Sequence, residues 1–310
     1  MHLHRRSFLS GLAGATLPFE QLRSQSRIAG RTRLILLGTA GGPRPRRFRS
    51  GSAQAIVAGG KIYVVDCGDG VARQMILAGL KLRDLRHVLI THHHSDHNAD
   101  FGTLLQLAWM SGLVTPVGCW GPPPTEEMLQ RYLQYQQYDI SLRARDEGRI
   151  ELAPLMKGHN LSNDGLVFAD DHVRVTAAKV PHPPLELALA YRFDASDRSI
   201  VISGDTNESD SLVRLAKGAD VLVHEVMLAE RVKEMLRALP NHEALARSVI
   251  GHHTTAEQVG RVAAKAGVKL LVLSHFVPAE DPTVPDGEWL APVRRYFSGP
   301  VVIGRDLLEV

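Results

Sequence analysis

Thr91-His92-His93-His94-Ser95-Asp96-His97 places four imidazoles and a carboxylate within seven positions. Imidazole nitrogen and carboxylate oxygen are the ligands that zinc and its neighbours take, and side chains this close on one short loop cannot all point apart. Gathering so many titratable groups without a cation would be costly. The H-x-H-x-D-H spacing therefore reads as a metal-binding loop rather than a solvated histidine-rich turn. Thiols are scarce: Cys67 and Cys119 are the two cysteines, which excludes a disulfide framework and a four-cysteine zinc site. They could pair in an oxidising compartment, but Cys67, at a strand end, reads better as packing. Any metal must then rest on the carboxylates and the 15 histidines.

The loop follows directly on an aliphatic run, His87 to Ile90, which reads as a strand. Similar runs at Arg33 to Leu37, Ala53 to Ala58, Ile62 to Val65, Val173 to Val180, Leu187 to Phe193, Ser199 to Ile202, Val221 to Val223 and Leu270 to Leu273 predict further strands. Helical spacing marks Val71 to Leu80, Phe101 to Leu113, Ser211 to Lys217, Leu228 to Ala238 and Ala256 to Ala266. Trp109 and its leucine neighbours suggest deep packing of the second of these. Tyr132, Tyr135 and Tyr138, at spacing three, predict one packed helix face, with an aromatic substrate wall as the alternative. The chain has 310 residues, 44% of them hydrophobic and 22% charged, which excludes disorder, collagen and coiled coil. No repeat, linker or charge block divides it, so residues 31–310 are expected to form one α/β domain.

A metal loop at a strand end resembles that of the metallo-β-lactamase-fold hydrolases, and four further motifs match in order. Val64-Val65-Asp66-Cys67-Gly68-Asp69-Gly70 matches the early Asp motif, Val180-Pro181-His182 the third His motif, Ser203-Gly204-Asp205-Thr206 the bridging Asp, and Leu273-Ser274-His275-Phe276 the last His. The resemblance spans about 33–310 and implies a four-layer αββα sandwich. It implies that one metal takes His92, His94 and His182, that the other takes Asp96, His97 and His275, and that Asp205 bridges them. Asp66 would brace the histidine loop without being a ligand, and His93 would point away. Two divalent ions, zinc first but manganese or iron also, would then activate a bridging water, with Asp96 as general base. His159, His172 and His224 compete with His182, but only His182 follows a strand and precedes a proline pair. Asp205 has an Asx-turn reading as its alternative, and His275 that of a core histidine.

Val223-His224-Glu225-Val226 and Gly251-His252-His253-Thr254-Thr255-Ala256 resemble paired motifs of the ribonuclease Z branch. His253 maps to the catalytic His that contacts the scissile group, and His252 is a neighbour. Asp96-His97-Asn98-Ala99-Asp100-Phe101-Gly102 and the helix after it resemble the arylsulfatase-like members. The insert from Glu126 to Glu151 carries six acids against four arginines, unlike an RNA-gripping arm. The expected enzyme is a binuclear metal-dependent hydrolase of a small-molecule sulfate or phosphate ester, with nucleic acid not expected as a partner. The alternatives are a ribonuclease Z-type phosphodiesterase acting on RNA, or a lactone or ester hydrolase. A metal-holding protein without catalysis is the third class. Relatives of this kind imply a homodimer.

Arg5-Arg6-Ser7-Phe8-Leu9-Ser10, followed by a weakly apolar stretch to Leu17, looks like a twin-arginine export signal. Residues 1–30 are expected to be signal and spacer, cut after Ser26, read by the export machinery and leading to a periplasmic or secreted protein. Cleavage there removes three arginines and one glutamate, so the formal charge falls from +3 to about +1. No later run of about 18 apolar residues predicts a membrane span.

Overall fold

In the computed structural model, which describes residues 30–279 and 283–310, the apolar runs pair into two sheets. The twin-arginine segment and its cleavage site lie outside the described residues. The first sheet begins with an antiparallel meander of β1 (Arg33–Gly38), β2 (Ala53–Ala58) and β3 (Lys61–Val65). Helix α1 (Val71–Leu77) leads to β4 (Leu85–Leu89), and α2 (Ser95–Asn98) and α3 (Phe101–Met110) to β5 (Val117–Gly121). The pair α4 (Thr125–Tyr135) and α5 (Gln137–Asp146) precedes β6 (Met156–Asn160). The strand order is β1-β2-β3-β4-β5-β6, parallel from β3 onward.

The second sheet opens with antiparallel β7 (Gly165–Ala169), β8 (Val173–Val180), β9 (Ala188–Ala195) and β10 (Ser199–Ile202). Then come α6 (Asp210–Leu215), β11 (Val221–Met227), α7 (Ala229–Leu236), α8 (His242–His252), α9 (Ala256–Ala266), β12 (Leu270–Val277), α10 (Asp286–Arg294) and β13 (Val301–Ile303). Its order is β13-β12-β11-β10-β9-β8-β7.

Alternation along the strands assigns the faces. Leu34, Leu36, Ile56 and Tyr63 of the first sheet meet Val175, Tyr191 and Phe193 of the second in a core between the sheets. Ile35, Leu37 and Val64 turn the other way, toward Met75 of α1 and Leu104 and Trp109 of α3. Leu222, Leu271 and Leu273 likewise face Val259 and Val262 of α9 and Val293 of α10. Strands buried on both faces need helices on both outer sides, and the result is the expected αββα sandwich, one compact unit over Thr32–Val310.

Three elements depart from expectation. The three tyrosines do not form one packed face: the helix breaks at Gln136, Tyr132 packs and donates its hydroxyl to Gln106 (2.8 Å), and Tyr135 and Tyr138 are 80% and 85% exposed. Strand β5 holds Gly118 because a Cβ there would lie 2.4 Å from His87 Nδ1, a packing demand that erases the strand signature. In β12 the pairing with β11 slips by one, from Glu225 opposite Ser274 to Val226 opposite Phe276, leaving His275 as an extra residue at φ 44. The bulge turns His275 off the ladder.

Candidate metal centre

The strand-end loops converge. Following β3, Asp66 adopts φ 62 and is buried. Its Oδ1 accepts from the Thr91 amide (2.8 Å), and its Oδ2 accepts from Thr91 Oγ1 (3.0 Å) and from His97 Nδ1 (2.7 Å). Thr91 Oγ1 in turn accepts from His92 Nδ1 (3.0 Å). His182, after β8, donates Nδ1–H to the His252 carbonyl at the end of α8 (2.8 Å). These bonds fix the tautomers, so His92, His97 and His182 all turn a bare Nε2 inward.

The inward nitrogens form two groups. His92 Nε2 and His182 Nε2 lie 3.0 and 3.1 Å from His94 Nδ1. His97 Nε2 lies 3.2 Å from His275 Nε2, and both lie 3.3 Å from Asp205 Oδ1. Asp96 Oδ2 is 3.3 Å from His275 Nε2 and accepts from the Gly42 amide (2.9 Å). Asp205 Oδ2 is 3.9 Å from both His92 and His182, so this carboxylate stands between the two groups. Gly204 lets it do so: at φ 58, a Cβ there would sit 2.9 Å from the Leu189 carbonyl and from Thr91.

This donor set fits divalent cations. Two lone pairs, on His92 and His182, face a single His94 nitrogen, which can donate to one of them at most. Asp205 Oδ1 and His275 Nδ1 are buried without a hydrogen-bond partner among the described residues. The protein's own charges accentuate the misfit. Burial opposes a charge on His97, yet Asp205, Asp66 and Asp96 raise its pKa well above the ordinary imidazole value. Burial likewise opposes ionisation of Asp205 and Asp96, but the surrounding histidines hold both well below the usual carboxylate range. Such an anionic, nitrogen-lined pocket calls for positive charge.

All seven residues expected as ligands thus come together, as two clusters. His93 points away, its Nε2 donating to the Pro122 carbonyl (2.8 Å). The three competitors of His182 stand elsewhere: His159 stacks on Trp120, His172 follows β7, and His224 is buried in β11 against the Glu225 carbonyl. Cys67 and Cys119 are free and buried.

His253 joins the site from the far side. Its Nδ1 donates to Glu225 Oε2 (2.8 Å), while Glu225 Oε1 accepts from the Thr206 amide (2.6 Å). Burial lowers the His253 pKa, but Glu225 and Asp205 outweigh it and push it up to about 9. The signal for Glu225 is one acid, next to His224, inside an otherwise apolar strand. The sequence carries a second signal. Arg44, Arg46, Arg47 and Arg49 follow β1 within six residues, and all four, with Arg73, line a cleft of about 670 Å³ that reaches Ser95 and Asp96. Arg46 Nε is buried there without a hydrogen-bond partner among the described residues, whereas Arg49 is tied to Thr39 and the Gly304 carbonyl.

The β-lactamase superfamily domain matches residues 62–276. "Ribonuclease Z" of Mycolicibacterium gilvum is 33% identical over 280 residues, covering 89% of this chain and 95% of the relative. Among solved structures, the metallo-β-lactamase-fold protein YhfI from Bacillus subtilis superposes with a TM-score of 0.67 at 22% identity, covering 90% of this chain and 98% of that one. Human tRNase Z, short form, gives 0.63 at 20% identity with the same coverage. Relatives named for RNA overturn the expectation that nucleic acid is not a partner. The physical reason is that net charge and the acidic insert are averages, whereas the arginines gathered at the cleft set the local field a substrate meets. The chain belongs to the β-lactamase superfamily and is a metal-dependent hydrolase acting on ester bonds.

Proposed function

We propose that this protein is a ribonuclease Z-type phosphodiesterase that cleaves RNA, in preference to a hydrolase of small sulfate or phosphate esters. The observation that carries this reading is the arginine-lined cleft opening at Asp96. A small ester would need no such groove, whereas a polyanion gains from each cation it meets. The names of the relatives support the same choice.

His92, His94 and His182 would hold one divalent ion, Asp96, His97 and His275 the other, with Asp205 shared. Zinc is the first candidate for such ligands. When bound, the ions supply a water of lowered pKa and draw charge from the phosphoryl group. The chain's own groups do the rest. Asp96, ionised and held by the Gly42 amide, accepts the proton of the attacking water. His253, cationic against Glu225, donates a hydrogen bond to the phosphoryl oxygen or a proton to the leaving oxygen. Glu225 fixes the ring so that Nε2 faces the substrate.

The twin-arginine reading of Arg5-Arg6 makes RNA outside the cytoplasm the target, and cell fractionation tests that part separately. The activity itself is tested by giving metal-loaded protein a 3′-extended hairpin RNA, an aryl phosphodiester and an aryl sulfate. RNA cleavage that falls about 100-fold or more in kcat in His253→Ala, with metal content retained, is the expected result. Turnover of the aryl sulfate with RNA left intact would overturn the reading.

A further inference from the structure

We infer that Gln54 and Ser274 are positioning residues for His275, acting through one buried water that accepts the His275 Nδ1 proton in a hydrogen bond and so leaves Nε2 bare toward the metal. The role rests on the metal centre alone, whichever ester is cleaved.

His92, His97 and His182 each find a protein partner that fixes the ring. His275 does not. Its Nε2 faces the site, 3.3 Å from both Asp96 Oδ2 and Asp205 Oδ1, so a ring that ligates through this atom must carry its proton on Nδ1. Nδ1 is buried without a hydrogen-bond partner among the described residues, and a buried N–H with no acceptor is costly. Left so, the proton would favour Nε2, where it blocks the lone pair that a metal takes.

The place for an acceptor is already shaped. Among the described residues six buried side-chain atoms lack a partner, and four of them, Gln54 Oε1, Asp205 Oδ1, Ser274 Oγ and His275 Nδ1, belong to residues lining one cavity. The cavity holds about 10 Å³, the room that one water takes. Gln54 shares the face of β2 that carries Ile56, and Ser274 the face of β12 that carries Val272, so both side chains enter the space between the sheets. They are 3% and 2% exposed, out of reach of bulk solvent. Glu225 and Ser203 also line the cavity, but Thr206 and His253 engage the Glu225 oxygens, and Ser203 Oγ is bonded to the Gly204 carbonyl and the Glu225 amide. Asp205 Oδ1 is turned to the metal side, 3.3 Å from His97 Nε2. A water in the cavity accepts from His275 Nδ1 and Ser274 Oγ and donates to Gln54 Oε1, the three bonds typical of a buried water. The amide in the otherwise apolar strand Ala-Gln-Ala-Ile-Val-Ala thereby acts on a ligand it does not touch.

The test is a zinc titration of protein labelled with 15N in its histidines, followed by NMR, so that His97 and His275 report one ion and His92 and His182 the other. In wild type the zinc-bound His275 should carry a slowly exchanging proton on Nδ1. In Gln54→Leu the zinc affinity read at His97 and His275 should fall about tenfold and the Nδ1 proton should exchange faster, with the affinity read at His92 and His182 within about twofold of wild type. Gln54→Glu, which keeps an acceptor oxygen, should recover most of the loss. Ser274→Ala removes a single hydroxyl and should show the same one-sided loss, smaller in size, which keeps the test decisive if Gln54→Leu fails to fold. Equal weakening of both ions would make the two residues mere packing and overturn the inference. Unchanged affinity and exchange in both Gln54→Leu and Ser274→Ala would overturn it too, as would a crystal structure of the zinc-loaded protein with no water bonded to His275 Nδ1.

Discussion

Asp66 shows what one side chain contributes without touching the reacting atoms. It occupies a left-handed backbone conformation that residues other than glycine rarely adopt, and three hydrogen bonds onto Thr91 and His97 offset that cost. Through them it decides which nitrogen of His97 faces inward. In Asp66→Ala we expect metal affinity to fall 10- to 100-fold, read by competition with a chromogenic chelator, while the ligands themselves remain. Affinity unchanged from wild type would show that the loop holds its own shape. At this scale the sequence was most legible where ligands share a short loop or end a strand, as His92 to His97, His182, Asp205 and His275 do. It was least legible where a residue acts through its backbone, as His252 does, or where its partner is distant in sequence, as Glu225 is from His253.

Elements bring these residues within reach, and their limits were readable where side chains alternate cleanly. The bounds of β8, β10 and α9 fall where the pattern predicts. Helix α9 announces itself with Thr255 capping the amide of Gln258 and the Gln258 side chain returning to the Thr255 amide. Strand β6, Met-Lys-Gly-His-Asn, and helix α8, with Ala246 as its one buried residue, carry too little apolar periodicity to be seen. Contacts across the fold shape them instead. The β10–α6 connection depends on Gly204, whose neighbours leave no room for a Cβ. Gly204→Ala should lower the unfolding free energy by about 1–3 kcal/mol, measured in urea. A loss below 0.5 kcal/mol (about the scatter of neutral substitutions) would show that Leu189 and Thr91 give way.

Across the whole molecule, buried imidazoles tie stability to pH. His87, stacked on Phe168 between the sheets, is driven by burial to a pKa of about 4, and His224, buried in β11, also to about 4. In the unfolded chain each titrates near 6.5. Their contribution is therefore complete above pH 6.5. As pH falls from 6.5 toward 4 the unfolded chain takes up protons that the folded one refuses, and stability declines. Between pH 7 and 5 we expect a loss of about 2 kcal/mol from each. The double variant His87→Phe, His224→Leu should flatten that slope in urea titrations, whereas a slope unchanged from wild type would assign the loss to other groups. The same scale exposes the limit of averages. A formal charge of +3 over 310 residues conceals a loop with four arginines beside an anionic pocket, and it is the local field that a substrate meets.

The bulge at His275 carries one more consequence. Leu271 and Leu273 face the helices and Val272 faces the other sheet, and Phe276 returns to the helix side only because His275 stands outside the count. Removing that one codon would leave Ser274 and Phe276 adjacent, with every neighbour on its present face and the ladder regular. A catalytically silent sibling with the same architecture is thus a single in-frame deletion away, and the chemistry of the fold hangs on one residue more than the strand requires.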